Sequence, residues 1–377
     1  MRFAAASVRL PGLVGQTALQ GYSRRGSQPS RSASDRKLEA NIVLLGKSGG
    51  GYFALIAIDA LYATNALASK VAELAKLPAG GVALVASHTH TAPGLDARKP
   101  ALGPAGPDYI DSVAELLANH LKELLAKPLF SAASAHFGQS ECTQNIYRRR
   151  KAFNPRAMRY GVQMAPNRAV TVSHAVEILT LADEAGDVRA AVWSWPCHPT
   201  SAPDPLALDA DFPAVVRDKL REVHGNADLP VLFLPGFCGD IRHANVTPFW
   251  SPRNLLRHLG IAGFGRVSAQ RFAELADALR NSASKAVSEA RTVALHDDAR
   301  VTRSSVPTTQ FMLSDDVESE THLAFVDLGD IAIFGCGAEV SHAYRNVVAG
   351  VFAGKTVLST GCLNGVFGYL PTKAQSE

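Results

Sequence analysis

Short apolar runs alternate with stretches of helical spacing along the whole chain, and that alternation constrains the fold more than any other feature. Residues 41–45 and 52–58 are two such runs, separated by Gly46-Lys47-Ser48-Gly49-Gly50-Gly51, and together they read as a hairpin. The Gly-Lys-Ser inside the turn does not make a phosphate-binding loop. The Walker pattern needs Gly where Asn41 stands, and a helix where a second strand follows. Helical spacing comes next over residues 63–77 (Leu67, Val71, Leu74), then a buried strand at 82–85.

Residues 108–127 form the clearest predicted helix. Ile110, Val113, Leu117, Leu121 and Leu124 share one face, and Asp108 is the expected cap. Strands are expected at 190–195 and 231–234, and helices at 213–223 and 268–290. A hairpin over 321–327 and 331–334, a helix over 341–352 and a last strand at 356–359 complete the pattern. This predicts an α/β fold of mixed, largely buried sheets flanked by helices, in one domain over residues 1–377. With 377 residues, 47% of them hydrophobic, the chain is long enough to bury such a core. Residues 23–38 and 92–107 read as exposed loops, and 243–262 as an irregular flap; no internal repeat is visible in the residues themselves.

Charge and apolar patterning remove several function classes. The net charge is only +4, and the one dense basic run, Arg148-Arg149-Arg150-Lys151, has no interleaved aromatics, so it reads as a solvated face and not a nucleic-acid surface. The longest apolar stretch, residues 52–68, is broken by Asp59 and Asn65, and no transmembrane segment is expected. Met1-Arg2 opens a poor signal peptide, because Ser7 and Arg9 interrupt its apolar stretch; a cytoplasmic location is the default expectation. Five cysteines without a CxxC pair predict buried, reduced thiols.

Ligands of open α/β sheets bind beyond the carboxyl ends of strands. Residues of that kind here are Ser87-His88-Thr89-His90, Pro196-Cys197-His198-Pro199, Gly239-Asp240, Ala338-Glu339, and Gly361-Cys362 with Tyr369 nearby. His88 and His90 are two apart after a strand, which would point both toward one face. One His from each of two strands plus a Glu is a catalytic zinc set that leaves a position for water. Spacing alone leaves other assignments open: His198 in a rigid turn, Glu339 beside a helix start, Tyr369 in the core.

His88-Thr89-His90-Thr91-Ala92-Pro93-Gly94 resembles the His-Thr-His-Ser-Gly-Pro-Gly signature of the neutral/alkaline (non-lysosomal) ceramidase family. Gln20-Gly21-Tyr22, Asn145, His198-Pro199-Thr200-Ser201, Gly239-Asp240-Ile241, Glu339 and Gly368-Tyr369-Leu370-Pro371-Thr372 are similar to further family segments, in the same order. The resemblance implies a catalytic domain with Zn2+ held by His88, His198, Glu339 and Tyr369. It also implies His90 and Tyr369 acting on the reacting carbonyl, Asp240 at the substrate site, and hydrolysis of a small-molecule or lipid amide. Two departures stand out. Arg242 occupies the place of the family's active-site Ser, which suggests a substrate bearing a carboxylate or phosphate. The family's C-terminal β-sandwich has no counterpart in this sequence. An esterase or other C–N hydrolase acting on a polar or anionic substrate, and a catalytically silent ligand- or lipid-binding relative, are the competing expectations.

Overall fold

In the computed structural model, which describes residues 1–12, 14–132, 134–154, 158–247, 262–310 and 320–376, strands Glu39–Gly46 and Ala175–Ala182 are buried at every position. Continuous burial requires cover on both faces, which is why residues 42–45 read as an apolar run and not as an alternating one.

The same order of elements occurs three times. Glu39–Gly46 and Tyr52–Ile58 form an antiparallel hairpin; helix Asn65–Leu74 follows, and Val82–Ala86 returns parallel to the hairpin's second strand. Ala175–Ala182, Val188–Ser194, helix Phe212–Val223 and Val231–Leu234 repeat that path. Glu320–Gly329, Ile331–Cys336, helix Tyr344–Val351 and Thr356–Thr360 repeat it again. Each unit also carries an earlier antiparallel strand against its first hairpin strand: Arg2–Arg9, Ser134–Glu141 and Leu295–Pro307 respectively. The sequence conceals this repetition because the element order recurs while the side chains do not.

The inner faces of the three sheets meet in one core. Val43, Leu45 and Leu55 of the first pack with Leu179, Val192 and Leu232 of the second and Val326, Ile333 and Leu358 of the third. Helices cover the outer faces. Helices Asn65–Leu74 and Pro107–Leu125 lie on Ile42, Leu44 and Ile56. Helices Phe212–Val223 and Ala269–Ser288 lie on Ile178, Trp193 and Phe233. No helix among the described residues is long and apolar enough to cross a membrane, and all five cysteines are buried and unbridged.

Several local expectations need correction. The helix expected to be capped by Asp108 starts at Pro107 with Gly106 as N-cap, because proline already fixes the first-turn backbone. The helix expected over 341–352 begins only at Tyr344, since Ser341 and His342 hydrogen-bond to Asp240. Residues 23–38 are not simply an exposed loop: Arg25 and Ser30 are buried, and Ser32–Ala33 pairs with Ala207–Leu208. Within 92–107, Ala92, Leu95 and Asp96 are buried, and Ala92–Pro93 pairs with Leu19–Gln20. Most of the flap expected at 243–262 lies outside the described residues.

A buried ion network ties the first unit to the second. Arg217 donates to Asp59 at 2.9 Å and lies 3.2 Å from Glu39, while Arg221 reaches Glu39 at 2.8 Å. Removing Asp59 leaves the buried Arg217 guanidinium sharing Glu39 with Arg221, so its charge is only partly compensated, which costs more than the pair's net contribution. Asp59→Ala should therefore lower the unfolding free energy by about 3–5 kcal/mol. The double change Asp59→Leu with Arg217→Met should recover part of that loss. Denaturant unfolding of the three proteins is the check; a single-variant loss below about 1 kcal/mol would contradict the role given to the pair.

Candidate functional site

Three segments that follow apolar strands bring their side chains together. His88 lies just past Val82–Ala86, His198 past Val188–Ser194, and Glu339 past Ile331–Cys336. All three are buried, and their ligand atoms lie within 4.8 Å of one another. The turn at His88 is not the strand continuation that would align His88 and His90 by alternation. His88 has φ +66°, a left-handed conformation, and the two rings meet edge to face with centroids 5.1 Å apart. Such backbone costs about 1–3 kcal/mol and clusters at functional sites.

Backbone carbonyls fix the tautomers. His88 Nδ1 lies 3.2 Å from the Leu61 carbonyl, His198 Nδ1 3.0 Å from that of Ile241, and His90 Nδ1 2.9 Å from that of Gly21. A carbonyl only accepts, so each Nδ1 carries a proton, and in a neutral ring the lone pair then sits at Nε2. The Nε2 atoms of His88 and His90 are buried without a hydrogen-bond partner. Burial, followed by the charge of Arg148, pushes the His198 pKa down to about 3. Burial, then the neighbouring His88 and His198, holds that of His90 well below its usual range. Both rings are therefore neutral at physiological pH.

Glu339 completes the cluster. Its Oε2 lies 3.0 Å from His198 Nε2 and 3.5 Å from His88 Nε2, and its Oε1 accepts from the Tyr62 hydroxyl at 2.6 Å. Burial would raise its pKa, but the two histidines hold it well below the ordinary carboxylate value. Glu339 sits in a short strand, Glu339–Val340, parallel to Tyr369–Leu370, and not beside a helix start. The chain opposite must approach closely: a Cβ on Gly239 would lie 2.4 Å from the Glu339 carbonyl oxygen.

Two contributors escape sequence reasoning. Tyr62 carries no motif. Arg148 belongs to the run expected to face solvent, yet it is buried; its Nη2 donates to the Gly239 carbonyl (2.9 Å), the Tyr369 hydroxyl (3.0 Å) and His198 Nε2 (2.9 Å). The signal was its place directly after the buried strand Asn145–Tyr147, which pulls the first arginine of the run inward.

The remaining expected residues sit nearby in different surroundings. Tyr369 is partly exposed, and burial followed by the Glu339 charge pushes its phenol up to about 12. The Asp240 carboxylate is fully engaged by Ser341, His342 and Gln375. Arg242 lies across from Ile146 in an antiparallel pair, with its guanidinium 4.4 Å from the centroid of the Phe264 ring.

The sequence matches no protein-family model and no curated protein. Its fold is shared with solved ceramidases. The structure of neutral ceramidase from Pseudomonas aeruginosa superposes with a TM-score of 0.75 at 14% identity, over 99% of this chain and 69% of that one. A structure described as ceramidase complexed with C2 gives 0.72 at 14% identity, over 99% and 70%. At that identity the likeness establishes the fold.

The cluster predicts that the wild type takes up about one metal ion per chain, zinc by its donor set, and that His88→Ala and His198→Ala each lose it, measured by plasma mass spectrometry. Full zinc retention in both would refute the assignment. The metal-free protein should lose stability on acidification. Between the unfolded histidine value of about 6.5 and the folded His198 value of about 3, the unfolded chain takes up a proton that the folded chain refuses. Stability thus falls as pH drops through that window, and His198→Asn should flatten the fall in thermal midpoint between pH 7 and pH 4.5.

Proposed function

We propose that this chain is a zinc-dependent hydrolase of the ceramidase type, cleaving an N-acyl bond with a metal-activated water at the carboxyl ends of the sheet strands. One observation carries the reading. Two imidazole nitrogens and a carboxylate oxygen, all buried, face one another within 4.8 Å. Convergent acceptors of this kind repel unless a cation lies among them. Two nitrogens and an oxygen suit zinc better than magnesium or calcium, and Tyr369 is the fourth candidate ligand.

Proton counting at Arg148 supports the same reading. Its Nη2 carries two hydrogens but faces three acceptors. Once His198 Nε2 serves as a ligand, the two hydrogens match the Gly239 carbonyl and the Tyr369 hydroxyl.

Bound zinc would polarise the scissile carbonyl and lower the pKa of a water to about 7. His90, neutral with Nε2 open, accepts the water's proton and returns it to the departing amine. Tyr369, its hydroxyl oxygen held by Arg148, donates toward the oxygen on which negative charge develops. Glu339, held by Tyr62, keeps its carboxylate aimed at the ligand histidines. Arg242, in the place of the family Ser, supplies no hydroxyl nucleophile, so the proposed attack rests on water alone.

The test is release of free amine from N-acyl amides by the zinc-loaded protein. His90→Ala should keep about one zinc per chain and lose about 10²–10⁴-fold in turnover. Loss of the metal in that variant would exchange the roles of His88 and His90. Absence of any amine release by zinc-loaded wild type would overturn the amidase reading.

A further inference from the structure

A cavity of about 440 Å³ opens beside Glu339 and Tyr369, and Arg149, Arg150 and Lys151 line its wall. These residues belong to strand Arg149–Asn154, which pairs with Arg159–Met164 as a hairpin along the cavity. The Arg149 guanidinium stands over the Tyr369 ring, 5.0 Å from its centroid. None of the three cations has a carboxylate partner among the described residues. The acidic groups that face the same space are Asp240 and Glu339. Asp240 already accepts from Ser341, His342 and Gln375, and Glu339 belongs to the histidine cluster.

Three like charges lining one cavity repel one another. An anion inside the cavity removes that repulsion. It also meets planar guanidinium groups suited to two-point recognition of oxygen anions. The lining also carries Val162, Val170, Leu370 and Pro371, so the site combines anion-binding groups with a surface for hydrocarbon.

We propose that this cavity selects amphiphilic amides carrying an anionic oxygen group, a carboxylate or a phosphate, and that Arg149, Arg150 and Lys151 determine that specificity. The inference rests on the hydrolase reading for the bond that is cut, but the anion selectivity is separable from it. Asp240, with both oxygens engaged, orients Ser341 and His342 and leaves the contact with substrate to the basic strand.

The experiment compares three amides with the same acyl chain: N-acylglycine, N-acyl-O-phosphoethanolamine and neutral N-acylethanolamine. For zinc-loaded wild type, kcat/KM for at least one anionic amide should exceed that for the neutral one by about tenfold or more, with the preference shrinking at high salt. Whichever anion is preferred identifies the head group. In R149Q/R150Q/K151Q the anionic-to-neutral ratio should fall by about tenfold, while R149K/R150K, which keeps the charges, retains most of it. A wild-type ratio near one, or an unchanged ratio in the triple variant, overturns the proposal.

Calorimetric binding of the same amides to wild type and the triple variant separates the two readings. Preferential anion binding that the triple variant loses, without turnover of any amide, upholds the cavity assignment and sinks the hydrolase reading. Turnover of all three amides without preference does the reverse.

Discussion

A carboxylate with almost no access to water organises this molecule. Glu339 is 5% exposed; the Tyr62 hydroxyl donates to one of its oxygens, and the positive Arg148 guanidinium lies 3.7 Å from the other, beside the two imidazoles. Each neighbour arrives from a different stretch of chain, so the three-sheet core must place those stretches to within a fraction of an ångström. Gly239 shows how tight the placement is, since nothing larger fits against the Glu339 backbone.

The repetition of one strand-hairpin-helix-strand path explains why the cluster forms where it does. Tyr62, His198 and Glu339 all follow the second hairpin strand of their respective units, at equivalent places in the path. His88, Gly239 and Tyr369 come after the parallel strand of those same units. The three sheets pack their inner faces together. A threefold topology thus supplies similarly placed loops three times over, and the chemistry differs because the loop residues differ.

Much of this was legible in the sequence. Apolar runs at 41–45, 52–58, 82–85 and 231–234 identified strands because both their faces are buried, and small or polar residues after those runs identified the converging loops. His88, His198 and Glu339 stood out as residues just past the runs at 82–85, 190–195 and 331–334, but only the ceramidase resemblance joined them into one ligand set. Arg148 was not, because a run of four basic residues conveys charge and not direction; burial of Asn145–Tyr147 turns the first arginine inward while Arg150 and Lys151 stay exposed. Tyr62 was missed because a lone tyrosine after a strand has the same composition whether it fills core or grips a carboxylate. The tautomers of His88, His90 and His198 depend on carbonyls of Leu61, Gly21 and Ile241, contacts that no local pattern encodes. The threefold path was invisible because topology leaves no trace in residue identity when each unit packs against different neighbours.

The scatter of these residues along the chain carries a consequence for how the protein is made. Tyr62, His88, Arg148, His198, Gly239, Glu339 and Tyr369 are drawn from most of the length of the chain, and contacts of such long sequence separation form late in folding. A nascent chain that has emerged only as far as the second unit holds His88 and His198 but lacks Glu339, the carboxylate of the cluster. If the cluster holds a metal as proposed, its capture would wait for completion of the third unit, and a loaded site would report that these distant segments have reached their final arrangement.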